Sequence, residues 1–379
     1  MANILLTAEN FAFGPIGKLL VVAELLREQG HVLTFVGFGT SLQLAKKFPF
    51  TKVYELDTDN PSNSAALKKI TRQTDVLISS MDIPSLVIAK QLGKLTIWID
   101  CLFWFWDSIP NPVLKADLFI RERSLKDNKN KLKFELKIKN MFDVGPIIGK
   151  MADIKRKKQV LVSYGGGEAT YSYRIGRDTN FPFVMTKIFL DYVDLTQFDK
   201  IIVATNEHAT KDLEEKFPQA PFEFTCLSYD KFLKELSQSE LILITPGLVT
   251  SEAAFYSGTP TIFLPASNNS QYLQLKEFRE RGLAPASVHM SDFMTRLHLE
   301  KISIMESTKP VLAQLRQLEH SSKLQAGVGT AIDKLVYKRR GWSTKFVING
   351  QKFIDSLGGN GAQAATDKIV QFLATKKIK

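Results

Sequence analysis

The sequence predicts an α/β chain of two doubly wound domains in tandem, each a parallel sheet wrapped by helices. Its 379 residues are enough for two domains of ordinary size. Hydrophobic residues make up 44% and charged residues 23%, the balance of a chain that buries a core and is neither disordered nor fibrous. Through both halves, short apolar runs alternate with segments of helical spacing, and that alternation implies parallel strands joined by crossover helices.

The elements can be read in order. Residues 3–7 form a first strand. The opening, Met1-Ala2-Asn3-Ile4-Leu5-Leu6, lacks the basic start of a signal peptide. After a glycine-containing loop, residues 18–29 carry apolar side chains at helical spacing and stop at Gly30. Strands follow at 31–36, 52–56, 76–79, 95–100 and 117–120, with helices at 42–47, 64–73 and 85–92 between them. A second series begins at 159–163 and ends in Gly165-Gly166-Gly167. It continues with strands at 200–204, 222–226, 241–245 and 261–264 and helices at 187–193, 229–237 and 251–257. Residues 361–375 read as a terminal helix with a lysine-rich tail. The expected domains are therefore 1–150 and 151–360, with 361–379 crossing back onto the first.

No apolar run reaches the about 18 uncharged residues of a membrane span. The two cysteines, Cys101 and Cys226, exclude a disulfide framework and a Cys-rich zinc site and fit a reducing, cytoplasmic setting. The net charge is +11, and residues 121–158 hold 13 Lys/Arg against 5 Asp/Glu, or +8 of it. Two readings stand. One is a solvated interdomain segment; the other is a patch for an anionic partner, with peripheral membrane contact as one form. No aromatic-interleaved basic motif accompanies it, so nucleic acid is not expected as a partner.

Open parallel sheets bind ligands beyond the carboxyl ends of their strands. Two such edges facing one another enclose a cleft, which suits a two-substrate enzyme. The most informative segment is 241–264: a buried strand, a turn at Pro246-Gly247, then a helix expected to start at the N-cap pair Thr250-Ser251, with Glu252 in its first turn. Free N–H groups and the dipole at that terminus would hold a diphosphate. A glutamate there suits neutral hydroxyls such as a ribose diol; alternatively the three residues only cap the helix.

The run Gly247…Ser251-Glu252-Ala253-Ala254…Gly258-Thr259-Pro260 resembles the donor signature of GT-B glycosyltransferases that use UDP-sugars, including UDP-glycosyltransferases and the N-acetylglucosaminyltransferase that makes lipid II. The resemblance implies two Rossmann-like domains facing a cleft, the first for the acceptor and the second for the nucleotide sugar. It implies inverting transfer of a sugar to a small acceptor without a metal or other cofactor. By resemblance, Gly247, Thr250 and Ser251 hold the diphosphate and Glu252 the ribose. Thr245-Pro246-Gly247 replaces the His-Cys-Gly opening of the plant-type signature, so a His–phosphate contact is not inherited.

Further features fall in family order. Ser163, Gly165, Gly166 and Gly167 stand where the family has a loop near the donor phosphates, and glycines let N–H groups approach an oxyanion. Leu227 and Tyr229 are candidates for packing the base. Asn269 and Gln271 are candidates for donor-sugar hydroxyls, since an amide offers both donor and acceptor. Arg174 and Arg177 could pair with a phosphate or an acidic sugar. In the first domain, Phe13, Gly14 and Gly17 belong to the loop that shapes the acceptor site in the family. No His lies in that loop, so the base is sought among the carboxylates Glu9, Asp82, Asp100 and Asp107. Asp100 and Asp107 flank an aromatic run holding Trp104 and Trp106, which reads either as core or as a stacking pocket for a planar acceptor. Asp57-Thr58-Asp59 matches a metal-binding DxD only as a three-residue string and reads as a turn.

A narrower resemblance, carried by the Phe-rich first loop and the Leu-Phe-Trp-x-Trp-Asp run, is to cytosylglucuronate synthases. It implies N-glycosyl transfer from UDP-glucuronate to a nucleobase. A UDP-sugar 2-epimerase and a nucleotide-binding module without activity are the rival classes. Donor sugar, acceptor and oligomeric state are left open.

Overall fold

A computed structural model describes residues 1–125, 127–152, 154–167, 180–303 and 306–376. The chain forms two compact units, one of residues 1–149 with the end of the chain from Ile354, and one running from Lys150 to Phe353.

The first unit runs β1 (Asn3–Ala8), α1 (Gly14–Glu28), β2 (Val32–Gly37), α2 (Gly39–Ala45), β3 (Lys52–Glu55), α3 (Ser64–Arg72), β4 (Val76–Ser80), α4 (Ile83–Gln91), β5 (Leu95–Asp100), α5 (Asn111–Leu114), β6 (Leu118–Glu122), α6 (Asp127–Phe134) and β7 (Met141–Val144). Its seven strands lie in the order β3-β2-β1-β4-β5-β6-β7, every pair parallel. The central strands are apolar on both faces because helices cover both sides; all of β4 is buried. Trp98, Phe103, Phe119 and Phe134 build the core on one face of this sheet.

Two features differ from the sequence expectation. The first helix starts at Gly14, not at Lys18, because Pro15 sits in its first turn with its φ already helical. Gly14 and Gly17 are therefore helical, Gly17 is buried, and the loop before the helix shrinks to residues 9–13. The lysine-rich stretch is also no open linker: it supplies α6 and the edge strand β7.

The second unit runs β8 (Lys157–Ser163), α7 (Phe181–Tyr192), β9 (Lys200–Ala204), α8 (Glu207–Lys216), β10 (Glu223–Thr225), α9 (Tyr229–Gln238), β11 (Ser239–Ile244), α10 (Leu248–Ser257), β12 (Thr261–Phe263) and α11 (Asn269–Glu280). Its five strands are parallel in the order β10-β9-β8-β11-β12. Three helices close it: α12 (Thr308–His320), α13 (Ser322–Tyr337) and α14 (Arg339–Ser356). Phe255, Phe263, Phe278 and Phe346 form its aromatic centre, with Phe255 and Phe278 edge to face at 5.2 Å. Among the described residues no helix is long and apolar enough to cross a membrane.

The last helix, α15 (Ala362–Thr375), packs on α1, β6 and β7 of the first unit. Its approach is fixed by backbone contact. Gly361 N–H donates to Pro146 O at 2.8 Å, and the Asn360 amide donates to Ile148 O at 2.7 Å and accepts from its N–H at 3.2 Å. A Cβ on Gly145 would stand 2.1 Å from Gly359 O, so only glycine fits there. Beside this seam, Lys18 and Glu122 form an ion pair with no exposed surface, and Ile147 N–H donates to the same carboxylate oxygen at 2.9 Å. Gly145→Ala should lower stability by about 1–3 kcal/mol through this overlap. Urea unfolding measures it, and an unchanged midpoint would show that the seam yields freely.

Candidate functional site

In the second unit the candidate residues gather at the carboxyl ends of β8 and β11, which pair directly with Ser163 opposite Ile244. Thr245 N–H donates to Ser163 O at 3.0 Å, joining the two loops that follow. Gly165 and Gly167 take φ of +69° and +64°, the left-handed region that glycine enters without strain. The loop is held from the next strand: Thr205 Oγ1 donates to Gly165 O at 3.2 Å and Asn206 Nδ2 to Gly166 O at 2.7 Å. Beneath it the Tyr164 ring is buried, stacked on Phe189, its hydroxyl 3.0 Å from Thr186 Oγ1.

Across from this loop, α10 begins at Leu248 with Gly247 as its N-cap and no side-chain cap. This corrects the expected start at Thr250-Ser251. Gly247 is extended (φ −76°, ψ 141°) and leads straight into the helix. Ser251 Oγ then bonds back to Gly247 O at 2.7 Å and is buried. Ser251 therefore braces the turn from inside, and Thr250 falls in the first turn. The first-turn N–H groups have no partner within a helix, so this terminus presents donors and a positive dipole end beside the glycine loop. Glu252 lies in the second turn with 0% exposure. A ribose reaches its carboxylate only if neighbouring side chains move aside.

Asn269 and Gln271, the candidates for donor-sugar hydroxyls, stand on a helix. They start α11, capped by Asn268, whose Oδ1 accepts from Gln271 N–H at 2.9 Å. Asn269 Nδ2 donates to Ser307 Oγ at 2.7 Å. Gln271 Oε1 accepts from Ser267 N–H and Oγ, both at 2.9 Å. Its Nε2 lies 3.9 Å from where a Gly247 Cβ would be, so Gln271 borders the same turn. Tyr229 opens α9 behind Ser228, with Leu227 just before it; both are partly buried. Arg174 and Arg177 lie outside the described residues.

In the first unit the loops after the neighbouring strands β1 and β4 each hold a non-glycine residue of positive φ, Ala12 at +49° and Met81 at +66°. Such backbone costs about 1–3 kcal/mol and persists only where its surroundings fix it. Here Asn10 Oδ1 accepts from Thr40 N–H at 2.9 Å and Oγ1 at 2.8 Å, while Thr40 Oγ1 is also 2.8 Å from Ala12 O. Phe13 closes this loop as the N-cap of α1.

The aromatic run after β5 is organised by Asp100. This carboxylate is buried and accepts from Trp98 Nε1 at 3.1 Å, Trp106 Nε1 at 2.9 Å and Leu102 N–H at 3.0 Å. Those bonds give Asp100 a structural task. Trp104 and Trp106 stay partly exposed, and Asp107 is exposed. Asn130 Nδ2 on α6 grips Phe103 O at 2.7 Å and Trp106 O at 2.9 Å, so the lysine-rich helix straps this loop. Asp57-Thr58-Asp59 is a turn in which Asp57 Oδ1 accepts from Asp59 N–H at 3.0 Å.

Asp82, after β4, caps α4 through Ser85 N–H at 3.3 Å and Ser85 Oγ at 2.7 Å. Burial pushes its carboxyl up to about 6; the Asp59 charge adds to the rise, while Ser85 and Thr7 oppose it.

No protein-family model matches the chain, and no curated protein matches its sequence. Solved structures do match its fold. The spinosyn forosaminyltransferase SpnP is similar at 14% identity and a TM-score of 0.53, over 97% of this chain and 99% of that one. MurG of Acinetobacter baumannii is similar at 13% identity and 0.52, over 98% and 100%. The spinosyn rhamnosyltransferase SpnG is similar at 11% identity and 0.51, over 97% and 99%. A second SpnG structure, complexed with thymidine diphosphate, has 10% identity and a TM-score of 0.50. The fold is thus the GT-B arrangement of two Rossmann-like units.

Asp82 holds its proton more tightly folded, near 6, than at its ordinary 3.8. Its contribution to stability is present below about pH 4 and is lost as pH rises through about 6, on the order of 2–3 kcal/mol. Asp82→Asn keeps the cap but cannot ionise. It should gain stability relative to wild type by that amount between pH 4 and 7. Urea midpoints at both pH values check this, and parallel pH profiles for the two proteins would refute it.

Proposed function

We propose that the chain is a glycosyltransferase that moves a sugar from a UDP-sugar to a small acceptor with inversion. The second unit takes the donor and the first the acceptor. The observation that carries this is the convergence of two phosphate-cradling devices on adjacent central strands: the glycine loop after β8 and the terminus of α10 without a side-chain cap, after β11. Both offer backbone N–H groups to an oxyanion. The GT-B likeness supports the reading, since the transferases named above share the fold.

Chemically, the acceptor O–H or N–H attacks the anomeric carbon while its proton passes to a carboxylate. The bond to the diphosphate breaks, and the leaving UDP takes the electron pair. Its growing charge is met by N–H donors of residues 165–167 and of the first turn of α10. Glu252 takes the ribose hydroxyls, Gln271 the donor sugar, and Leu227 with Tyr229 the base. Asp107 is the better base, because its side chain reaches solvent while Asp100 is engaged by three N–H donors. Trp104 and Trp106 offer partly exposed rings for a planar acceptor, as a nucleobase would need.

Calorimetry with UDP and with thymidine diphosphate tests the donor site. Glu252→Ala should weaken UDP binding roughly 10–100-fold, the worth of one or two charged hydrogen bonds, with the fold retained. Unchanged affinity would remove the ribose role. Asp107→Asn should abolish turnover with donor affinity intact, whereas Asp100→Asn should first disturb the near-ultraviolet signal of Trp98 and Trp106. Full activity of Asp107→Asn would place the base elsewhere. Turnover of a UDP-sugar without acceptor would mark an epimerase.

A further inference from the structure

The segment from α6 into the following turn of helix (Glu135–Lys137) has a buried row and an exposed apolar row. Asn130, Phe134 and Ile138, four residues apart, are buried and tie the segment to the aromatic core. Offset by two residues, Leu132 and Leu136 are 81% and 97% exposed. Those outward positions are where a helix on a soluble surface carries polar groups. Between Lys131 and Lys139 four lysines stand against Glu135 alone, four minus one giving a net +3. Lys131 lies 3.3 Å from Asp143, and Lys133 donates to Asp107 O. Lys137 and Lys139 are exposed.

We propose that this leucine–lysine face docks on an anionic lipid membrane. Two adjacent leucines can enter the boundary between headgroups and acyl chains while the lysines meet lipid phosphates. The charge selects this occupant. A second copy of the chain would set +3 against +3, and a nucleic-acid strand offers the leucines no apolar site. The face also has a consequence for the acceptor. Asn130 and Phe134 join α6 to the loop of Trp104 and Trp106. Docking would therefore bring that loop to the membrane surface, the place to meet an amphiphilic acceptor. This last step rests on the acceptor role proposed above; the docking itself does not.

The test is sedimentation of the full chain with phosphatidylcholine vesicles, pure or with roughly one-third phosphatidylglycerol. Binding should require phosphatidylglycerol and fall at about 0.5 M salt. The double variant Leu132→Asp/Leu136→Asp should bind about tenfold or more weakly, and Lys137→Glu/Lys139→Glu likewise, with the circular dichroism and melting temperature of wild type. No binding, equal binding to both vesicles, or undiminished binding by the folded leucine variant would overturn the proposal. A dimer that the leucine variant abolishes, without vesicle binding, would assign the face to a second copy and overturn it too. Vesicle binding is read without sugar transfer, so its failure leaves the proposed reaction standing.

Discussion

Parallel pairing is the constraint on which everything else depends. In each unit the paired strands all run the same way, so the loops that lead from a strand into the next helix leave from one edge. Helix N-termini collect at that edge with their N–H groups and dipoles. The two units use it differently. The second places glycines and an N-terminus without a side-chain cap on its central pair, β8 and β11. The first places strained backbone after β1 and β4, and aromatic rings after β5. Glycine turns suit a polyanion held by backbone. Rings and a carboxylate suit a neutral, flat or amphiphilic molecule. The proposed division of labour between donor and acceptor rests on that difference between the two edges.

Much of the fold was legible in the sequence because buried parallel strands are continuous apolar runs, and helix-ending glycines such as Gly30 and Gly258 punctuate them. The starts of helices were less legible. At α1 a proline and two glycines look like loop, yet Pro15 is at home in a first turn. At α10 the polar pair Thr250-Ser251 resembles a cap, but the backbone is already helical, and Ser251 turns its hydroxyl back to Gly247. The lysine-rich segment hid α6 and β7, since the apolar residues that face the core there, such as Phe134, Ile138 and Met141, are scattered among charged neighbours.

The places of the glycine loop and of the run from Gly247 to Glu252, after β8 and β11, were legible in the sequence, though not where α10 begins. Roles that depend on partners distant in sequence were not. Asp100 looks like a catalytic carboxylate, and only the fold shows Trp98 and Trp106 converging on it. Asn206 and Thr205 follow β9 as an unremarkable pair, yet they set the carbonyls of Gly165 and Gly166. Asn10 and Thr40 do the same for Ala12. Such bonds cross from one strand end to the next, so no local pattern carries them.

The buried carboxyl groups show how the fold separates structural from chemical tasks. A carboxylate without water is tolerated only when ion pairs or N–H donors replace its hydration. Glu122 has Lys18 and Ile147 N–H. Asp100 has two indoles and a backbone amide. Asp82 is capped by Ser85 and holds its proton toward neutral pH instead. Each is committed to holding an element in place, and each would lose that role if it left its partners to reach a substrate. Glu252 differs by location: it is buried in the second turn of α10, the helix that follows β11, the strand paired with β8. In the donor role proposed for it, that burial would keep water from competing for a ribose hydroxyl, because a hydrogen bond formed in a dry site is stronger than one in solvent.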